Sequence, residues 1–460
     1  MVPMTLHQIA QAVGGRLVDV ADPAATVDRP AVIDSRLAEP GALFVALPGQ
    51  HTDGHRFARQ AVAAGAVAVL AARPVGVPAV VVPDVLAALT VLARTVAARL
   101  KSATVVALTG SAGKTSTKDL LAQLLAPMGR TVATPLSFNN EIGLPLTVLR
   151  ADGATDYLVA EMGASRAGHI AHLTGVLPPS VGLVLNVGTA HIGEFGGSKE
   201  AIAAAKGELV EALPADGLAV LNADDPYVMS MAVRTAAPVL TFGLGTGEVR
   251  AADVALDRAG RPSFTLRRGG AAARVRLALH GEHQVANAAA AAAVALGLGG
   301  ELGRIAESLC AARLLSPGRM AVTERPDGVT IVDDAFNANP DAMAAALRTV
   351  LAMAGPDGRR VVAVLGEMAE LGADSPAHHA EVGRRAAALG IGELVAVGGA
   401  QAELMHRQAE AGGVPSTLLP DGGAALEHLR GRLLPGDLVL VKGSHSTGLA
   451  ETARLLGQAG

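Results

Sequence analysis

The chain of 460 residues contains one cysteine, Cys310, two tyrosines, seven phenylalanines and no tryptophan. A single cysteine excludes a disulfide within the chain and suits a reducing compartment. Aromatic residues make up 2% of the chain and hydrophobic residues 50%, so the cores must be built from aliphatic side chains. Because Cys310 lies in the helical pattern "ESLCAARLL", we interpret it as a packing residue and not as a nucleophile.

Clusters of basic residues and long apolar runs are also missing. The formal net charge is −4, and no run of Lys or Arg predicts a nucleic-acid surface. Segments such as "AVAAGAVAVLAA" are too short and too rich in alanine and glycine to span a bilayer. The first residues, "MVPMTLHQIAQAVGG", lack a basic stretch before an apolar core, so no signal peptide is expected. We expect a soluble, cytoplasmic monomer that neither binds nucleic acid nor inserts into a membrane.

Strand and helix patterns alternate along the whole chain, which predicts an α/β fold, and the length predicts two to four domains. The first hundred residues read as a small α/β unit, and a doubly wound region follows up to about residue 315. Within that region, segments between about 237 and 280 alternate as β-strands between turns. A third α/β stretch begins after "SPGRM".

Residues 108–118, "LTGSAGKTSTK", contain a shortened phosphate-binding loop. The usual pattern has a glycine six positions before the lysine, where this chain has Leu108. A β-branched strand, "ATVVALTG", precedes the loop, and a helix with regularly spaced leucines follows it. This order aims backbone N–H groups at an anion, so that Lys114 would reach the phosphates and Thr115 would hold Mg²⁺. The alternative is an ordinary strand-to-helix turn, but strand, Gly-Lys-Thr and helix together favour a nucleotide site.

Two polar residues follow strands at the same predicted sheet edge. Glu161 comes at the end of "YLVAE", and His191 follows "VGLVLNVGTA". Parallel strands deliver functional residues at their carboxyl ends, so both side chains are candidates for metal or phosphate contact. The structural alternatives are a solvated strand end for Glu161 and a structurally satisfied imidazole for His191.

Lys206 falls on the apolar side of a helix, four residues from both Ile202 and Val210. Burial would lower the pKa of its amine and make the neutral form available for chemistry. The side chain can instead pack its stem on the core and keep its head in water. The spacing alone favours this second interpretation.

Amide side chains mark two further segments. In "GEHQVANAAAA", Asn287 lies one helical turn after His283, and it either caps the helix or offers its amide to a purine. "VDDAFNANPDAM" places two aspartates at a strand end, then Asn337 and Asn339 before a helix that starts with proline. This polar set is denser than helix capping requires.

Taken together, these segments resemble the Mur ligases of peptidoglycan synthesis. The resemblance extends from "DSRLAEPGALFVALPGQHTDGH" to "VKGSHS", which is nearly the whole chain. "FNNEIGLPLT" and "NANPDAM" are similar to the branch that adds D-alanyl-D-alanine to UDP-N-acetylmuramoyl-tripeptide. The shared segments, in the order of the family, are "TGSAGKTSTK", "FNNEIGLPLTVL", "EMGAS", "NVGTAHIGEFG", "AKGELV", "LNADD", "GEHQVANA", "SPGRM", "DDAFNANPDAM" and "LGEMAELG".

The resemblance implies three domains: a UDP-sugar-peptide domain at 1–98, a central P-loop-type ATP-binding ligase domain at 99–315, and a Rossmann-like ligase domain at 316–460. It implies an ATP- and Mg²⁺-dependent amide ligase that joins the UDP-linked tripeptide to D-alanyl-D-alanine through an acyl phosphate. The alternatives are a specialised ligase with another dipeptide or amine acceptor, a folylpolyglutamate synthase-like ligase, and a P-loop switch without ligation.

The resemblance also implies roles for individual residues. Lys206 matches the lysine that carries a carbamate in this family, which reverses the interpretation from spacing. Catalytic or metal-holding roles fall to Lys114, Thr115, Glu161, His191 and Lys206. The nucleotide would be held by Gly110, Ser111, Ala112, Gly113, Lys114, Thr115, Ser116, Asn287 at the adenine, Arg319 at the phosphates and Asp334 at the ribose. Substrate contacts fall to Asp34, Ser35, Arg36, Asn139, Asn140, Glu141, Asn337 and Asn339.

One segment departs from the pattern of this ligase group. The group usually has Lys-x-Ser-Arg near its end, whereas this chain has "KGSHS", with His445 in place of the arginine. The following "TGLAET" also lacks an expected acidic residue. Arginine binds a carboxylate permanently and through two hydrogen bonds, and histidine does neither, so we expect residue 445 to affect acceptor choice.

Overall fold

A computed structural model describes residues 1–49, 52–355 and 358–458 of the chain. Gln50 and His51, part of the first segment quoted for the family resemblance, lie outside the described residues. Within these ranges the strands form sheets of five, nine and six strands and one two-stranded ribbon. This agrees with the α/β fold expected from the sequence.

The first region carries a five-stranded sheet in the order β2-β7-β6-β5-β4 and the ribbon β1-β3. Its β2–β7 pair is antiparallel and its other pairs are parallel. The elements are β1 (Met4–Thr5), α1 (Leu6–Val13), β2 (Arg16–Val18), β3 (Thr26–Val27), β4 (Ala31–Val32), β5 (Leu43–Val45), α2 (Ala58–Ala63), β6 (Ala68–Ala71), β7 (Ala79–Val81) and α3 (Val85–Ala97).

The central region carries the nine-stranded sheet, in the order β16-β15-β14-β13-β12-β11-β8-β10-β9. Strand β8 lies between β11 and β10 and is parallel to both, and its side chains are buried on both faces, as is usual for a central parallel strand. The elements are β8 (Thr104–Thr109), α4 (Lys114–Leu125), β9 (Thr131–Ala133), α5 (Gly143–Val148), β10 (Tyr157–Glu161), α6 (His169–Val176), β11 (Val181–Val184), α7 (Lys199–Glu211), β12 (Leu218–Asn222), α8 (Pro226–Met229), β13 (Val239–Gly243), β14 (Val249–Leu256), β15 (Pro262–Arg268), β16 (Ala271–Arg276), α9 (His283–Gly297) and α10 (Leu302–Ala311).

The β-rich segment expected at about 237–280 extends this same sheet. Strand β13 is parallel to both β12 and β14, and β15 and β16 follow as antiparallel neighbours. Antiparallel strands need only short turns, so the chain adds β15 and β16 after β14 without an intervening helix. The predicted strands are confirmed.

The third region carries the six-stranded sheet, in the order β17-β18-β22-β19-β20-β21. Strand β19 lies inside the sheet and is parallel to both neighbours, as "GRRVVAVLGE" predicts. The edge strands β17 and β21 were not predicted, because both are short and only partly buried. The elements are β17 (Ala321–Glu324), β18 (Thr330–Asp333), α11 (Pro340–Ala354), β19 (Val361–Gly366), α12 (Ser375–Ala388), β20 (Glu393–Val397), α13 (Ala400–Ala411), β21 (Ser416–Leu419), α14 (Gly422–Leu429), β22 (Leu438–Lys442) and α15 (Leu449–Gln458).

The predicted boundaries at 98/99 and 315/316 fall between the three sheets, and the domain limits stay a prediction. Helix α3, at the end of the first region, packs on α1 and also on α5 and α6 of the central region. In the described part of the chain, no helix is both long and apolar enough to cross a bilayer.

Cys310 lies on α10 as expected, but it is exposed and its Sγ accepts from the Arg276 N–H at 3.3 Å. The interpretation of Cys310 as a packing residue was wrong.

The alanine-rich helix α9 packs closely against its neighbours near the phosphate loop. It lies against α4 and against β13 and β14, and residues 288–295 are fully buried. Methyl side chains let the helix approach its neighbours closely, so there is little room for a larger residue.

We therefore expect Ala290→Leu to destabilise the protein by about 1–3 kcal/mol, because added methylene groups strain a filled core. Chemical denaturation measured by circular dichroism would give the difference. Ala388→Leu is the matched control, since Ala388 is exposed on α12. Equal stability of the Ala290 variant and wild type would contradict this account of the packing.

Candidate active site

A cavity of about 440 Å³ lies between the carboxyl edges of the central and third sheets. It brings together fourteen of the residues predicted from sequence. These are Ser111, Ala112, Gly113, Lys114, Thr115, Ser116, Asn139, Glu161, His191, Asn287, Arg319, Asp334, Asn337 and Asn339. The remaining lining includes polar residues that the sequence interpretation did not assign, chiefly Ser137, Asn186, Gln284, Asp341 and Lys442.

The phosphate loop is held in shape by Asn186, which follows β11. The Asn186 Oδ1 accepts from the Ser111 N–H at 3.0 Å and the Ala112 N–H at 2.9 Å, and its Nδ2 donates to the Ala112 carbonyl at 3.1 Å. Gly113 has φ +80°, and a Cβ there would collide with the Asn287 side chain. The loop therefore needs glycine at 113 and is ordered by the protein itself.

Two cations approach this loop from different regions of the chain. The Lys114 Nζ donates to the Gly110 carbonyl at 2.8 Å. Desolvation lowers the pKa of Lys114, Glu161 opposes this shift, and Arg319 adds to it. The Arg319 Nη2 reaches from the third region to the Thr115 Oγ1 at 3.0 Å, and its guanidinium lies 4.2 Å from the centre of the Phe336 ring. Burial lowers the pKa of Arg319 as well. Such a pair of desolvated cations is suited to phosphate oxygens.

Lys442, at the end of β22, organises the opposite wall. Its Nζ donates to the Asp334 Oδ2 at 2.7 Å and to the Asn337 carbonyl at 2.8 Å. The Asp334 Oδ1 also accepts from the Met320 N–H at 3.2 Å. Lys442 stands in the quoted segment "VKGSHS", but only the fold shows that it meets Asp334, 108 positions earlier.

The amide residues divide into capping and cavity roles. Asn339 caps α11, because its Oδ1 accepts from the Ala342 N–H at 2.8 Å. Asn287 lies inside α9, with its Oδ1 accepting from the Thr117 hydroxyl at 3.3 Å and its Nδ2 donating to the Gln284 Oε1 at 2.9 Å. The interpretation of Asn287 as a helix cap was wrong, since α9 begins four residues earlier.

Glu161 presents an oxygen donor to the cavity. Its Oε1 accepts from the Asn139 Nδ2 at 2.6 Å, while its buried Oε2 has no partner among the described residues. No group of three His, Cys, Asp or Glu side chains within the described ranges is arranged to hold a metal ion. A Mg²⁺ ion usually takes one or two protein carboxylates together with phosphate oxygens and water, so Glu161 and Thr115 fit that ion.

Lys206 is 3% exposed on α7, outside the cavity lining. Desolvation and the nearby Lys114 lower its pKa well below the ordinary value of a lysine. The interpretation from spacing, with the ammonium in water, was wrong because the whole side chain is buried. A neutral amine is therefore accessible at this position.

His191 lies where the central region touches the third region. Its Nδ1 contacts the Glu370 carboxylate. Nearby, the Asp341 Oδ2 accepts from the Thr189 N–H at 3.0 Å and from its hydroxyl at 2.9 Å. Gly193 packs against Gly372 so closely that a Cβ on Gly372 would lie 2.7 Å from the Gly193 Cα. These contacts hold the two cavity walls together.

The other predicted site residues do not line the cavity. In the first region, hydrogen bonds from Arg36 lower the pKa of the Asp34 carboxyl to about 2. The Ser35 hydroxyl donates to the Gln60 Oε1 at 3.1 Å. Gly110 packs against Leu185, where a Cβ would meet another Cβ at 2.8 Å.

Two residues of "FNNEIG" make local contacts. The Asn140 Oδ1 accepts from the Gly143 N–H at 2.9 Å at the start of α5. Glu141 lies 3.1 Å from the His169 Nε2 and 3.4 Å from the Arg166 Nη2. His445 is exposed, and its ring centre lies 6.0 Å from that of Phe336.

A phosphate loop at the carboxyl edge of a doubly wound sheet, faced by cations from a third region, defines a nucleotide-dependent α/β enzyme. Comparison with known families gives three matches: the Mur ligase family catalytic domain at residues 31–103, the Mur ligase middle domain at 108–295 and the Mur ligase glutamate ligase domain at 318–445. The chain belongs to the Mur ligase family, which confirms the resemblance seen in the sequence.

Relatives match along the full length. A UDP-N-acetylmuramoyl-tripeptide–D-alanyl-D-alanine ligase of Mycobacterium tuberculosis is 49% identical, covering 99% of this chain and 98% of the relative. The Escherichia coli ligase of the same name is 36% identical, with both chains covered completely. Among solved structures, MurF from Acinetobacter baumannii has a TM-score of 0.85 at 32% identity, with 99% of each chain covered. MurF from Thermotoga maritima, in complex with ADP, has a TM-score of 0.78 at 31% identity, covering 94% of this chain and 98% of that one.

The contacts of Asn186 lead to a prediction about nucleotide binding. Asn186→Ala removes both side-chain hydrogen bonds to Ala112 and the side-chain acceptor of the Ser111 N–H, which keeps the Asn186 carbonyl at 3.1 Å. We expect ADP to bind about tenfold more weakly, since each hydrogen bond contributes about 1 kcal/mol. Isothermal titration calorimetry measures the affinity, with Gln408→Ala on α13 as a control amide outside the cavity. Unchanged ADP affinity in the Asn186 variant would show that the loop keeps its shape without this side chain.

Proposed function

We propose that this protein is the ATP-dependent ligase that adds D-alanyl-D-alanine to UDP-N-acetylmuramoyl-tripeptide in peptidoglycan precursor synthesis. The cavity carries the proposal, because it sets the phosphate loop and Lys114 against Arg319 from the third region. The relatives at 49% and 36% identity, both named for this reaction, support it. Such an enzyme serves cell-wall synthesis, and with it cell shape and division.

ATP binds across the cavity in this proposal. The loop residues Gly110 to Ser116 hold its phosphates together with Arg319, Asn287 faces the adenine and Asp334 the ribose. The ADP complex of the Thermotoga relative supports a nucleotide here. Mg²⁺, when bound, neutralises phosphate charge. Thr115, Glu161, His191 and a carbamate on Lys206 are the residues that would hold it.

The tripeptide carboxylate attacks the γ-phosphorus of ATP, the bond from that phosphorus to the β–γ bridging oxygen breaks, and ADP leaves as the acyl phosphate forms. Lys114 and Arg319 stabilise the charge on the transferred group. The amine of D-alanyl-D-alanine then attacks the acyl carbon, and phosphate leaves. Because the third region covers the loop, water is kept from an intermediate that would otherwise hydrolyse.

The UDP-linked substrate contacts all three regions in this proposal. Its contacts fall to Asp34, Ser35, Arg36, Asn139, Asn140, Glu141, Asn337 and Asn339. We further propose domain limits at 1–98, 99–315 and 316–460, a monomer, and a cytoplasmic location where the nucleotide precursor is made. The second candidate function is a ligase with a specialised range of acceptors. It is favoured by the exposed His445, which lies where the group has arginine.

Substrate-dependent release of phosphate tests the ligase. We expect rapid release only with ATP, the UDP-linked tripeptide and D-alanyl-D-alanine together, because the acyl phosphate needs both partners to turn over. Malachite-green detection measures phosphate, and Lys114→Ala, which removes the loop cation, should abolish the signal. Rapid hydrolysis with ATP alone would favour a P-loop switch, and turnover with another dipeptide would favour the specialised ligase.

Lys206 gives a separate test of the carbamate. Lys206→Ala should lose most ligase activity, and acetate should partly restore it by supplying carboxylate oxygens, which hard cations prefer. Lys206→Arg should stay inactive, since a guanidinium keeps its charge and does not form a carbamate. Initial rates with and without added acetate measure the effect. Near wild-type ligation by the arginine variant would rule out the carbamate.

A further inference from the structure

Lys118 is a buried cation that the proposed reaction does not use. It lies on α4 one helical turn after Lys114 and is 2% exposed. Its Nζ donates to the Thr134 carbonyl at 2.9 Å and the Leu136 carbonyl at 3.1 Å, and lies 2.5 Å from the Asp119 Oδ1. An ammonium has three N–H donors, and here it has three acceptors. A buried charge is tolerated only with such pairing, so this position is specific for lysine.

The two carbonyls belong to the loop of residues 134–139, which follows β9. Leu136 in this loop has φ +47°, a left-handed conformation that costs a side-chain-bearing residue about 1–2 kcal/mol. Leu136 is 46% exposed and Phe138 36% exposed, so little hydrophobic burial compensates for that cost. The middle of the loop is therefore held by the Lys118 ammonium and by the Phe138 N–H, which donates to the Pro135 carbonyl at 3.1 Å.

Both ends of the loop are tied to β10 and to Glu161. At the start, the Glu161 N–H donates to the Thr134 Oγ1 at 3.0 Å. At the end, the Gly163 N–H donates to the Asn139 carbonyl at 2.8 Å, and the Asn139 Nδ2 donates to the Glu161 Oε1 at 2.6 Å. A hydrogen-bonded path thus leads from Lys118 through the loop to the carboxylate in the cavity.

We propose that Lys118 is a positioning residue of the ligase site. By fixing the 134–139 loop it sets the Asn139 amide, and through it the direction of the Glu161 carboxylate. This inference rests on the proposed function, in which Asn139 faces the UDP-linked substrate. The phosphate loop has its own support from Asn186, so loss of Lys118 affects the peptide side of the site more than nucleotide binding.

Lys118→Met tests the proposal, because methionine keeps a long side chain without N–H donors. We expect amide hydrogens of residues 136–139 to exchange about tenfold faster, as local opening becomes easier. The kcat/KM for the UDP-linked tripeptide should fall about tenfold or more, equivalent to about 1.4 kcal/mol in the transition state. ADP affinity from calorimetry should stay within about twofold. Lys101→Met is the control, since Lys101 is exposed before β8.

A second substitution separates positioning from general destabilisation. The double variant Lys118→Met, Leu136→Gly has a glycine where the backbone is left-handed, so it avoids the conformational free energy that leucine costs there. We therefore expect the double variant to recover part of the kcat/KM that Lys118→Met loses. If Lys118→Met does not fold, Lys118→Arg serves instead: it keeps a positive charge beside Asp119, but its planar group cannot match three acceptors arranged for an ammonium.

Three results would overturn the proposal. The first is an unchanged rate of amide hydrogen exchange at residues 136–139 in the Lys118→Met variant. The second is a wild-type kcat/KM in that variant. The third is an equal loss of affinity for ADP and for the UDP-linked tripeptide that the added Leu136→Gly substitution does not relieve. A wild-type protein that exchanges as expected but does not ligate would instead refute the proposed function.

Discussion

The contact between Arg319 and Thr115 is the interaction on which the site depends. It brings a guanidinium from the third region onto the first turn of α4, directly beside the phosphate loop. The stacking of Arg319 on Phe336 fixes the plane of the guanidinium, so the cation is set before any ligand arrives. Together with the contacts of Thr189 with Asp341 and of His191 with Glu370, it joins the carboxyl edges of the two sheets around one cavity.

Cationic side chains with little access to water are concentrated around this contact. Lys114, Arg319 and Lys442 line the cavity. The Glu161 carboxylate favours the charged forms of Lys114 and Arg319, and Asp334 pairs with Lys442. Desolvation lowers the pKa of Lys114, Arg319 and Lys206. A polyanion would neutralise this excess. A nucleotide triphosphate is such a polyanion, and its phosphates would pair with Lys114 and Arg319.

Sequence patterns predict the parts of this site that are formed by residues close together in the chain. The strand, glycine turn and helix around Lys114 follow from neighbouring residues alone, as do the capping role of Asn339 and the parallel strand β19. Contacts between distant segments are not visible in this way. Asn186 and Lys442 act through partners more than seventy positions away, so their roles emerge only from the fold. Lys206 was misjudged from spacing because periodicity shows which face a residue occupies but not whether water reaches its end.

The close approach of Gly193 and Gly372 restricts which residues can occupy these two positions. Neither residue has a side chain, so the contact joins backbone to backbone and fixes no side-chain rotamer when it forms. A Cβ on Gly193 would lie 2.3 Å from the Gly372 nitrogen, and a Cβ on Gly372 would lie 2.7 Å from the Gly193 Cα. Any larger residue at either position would therefore hold the two cavity walls apart.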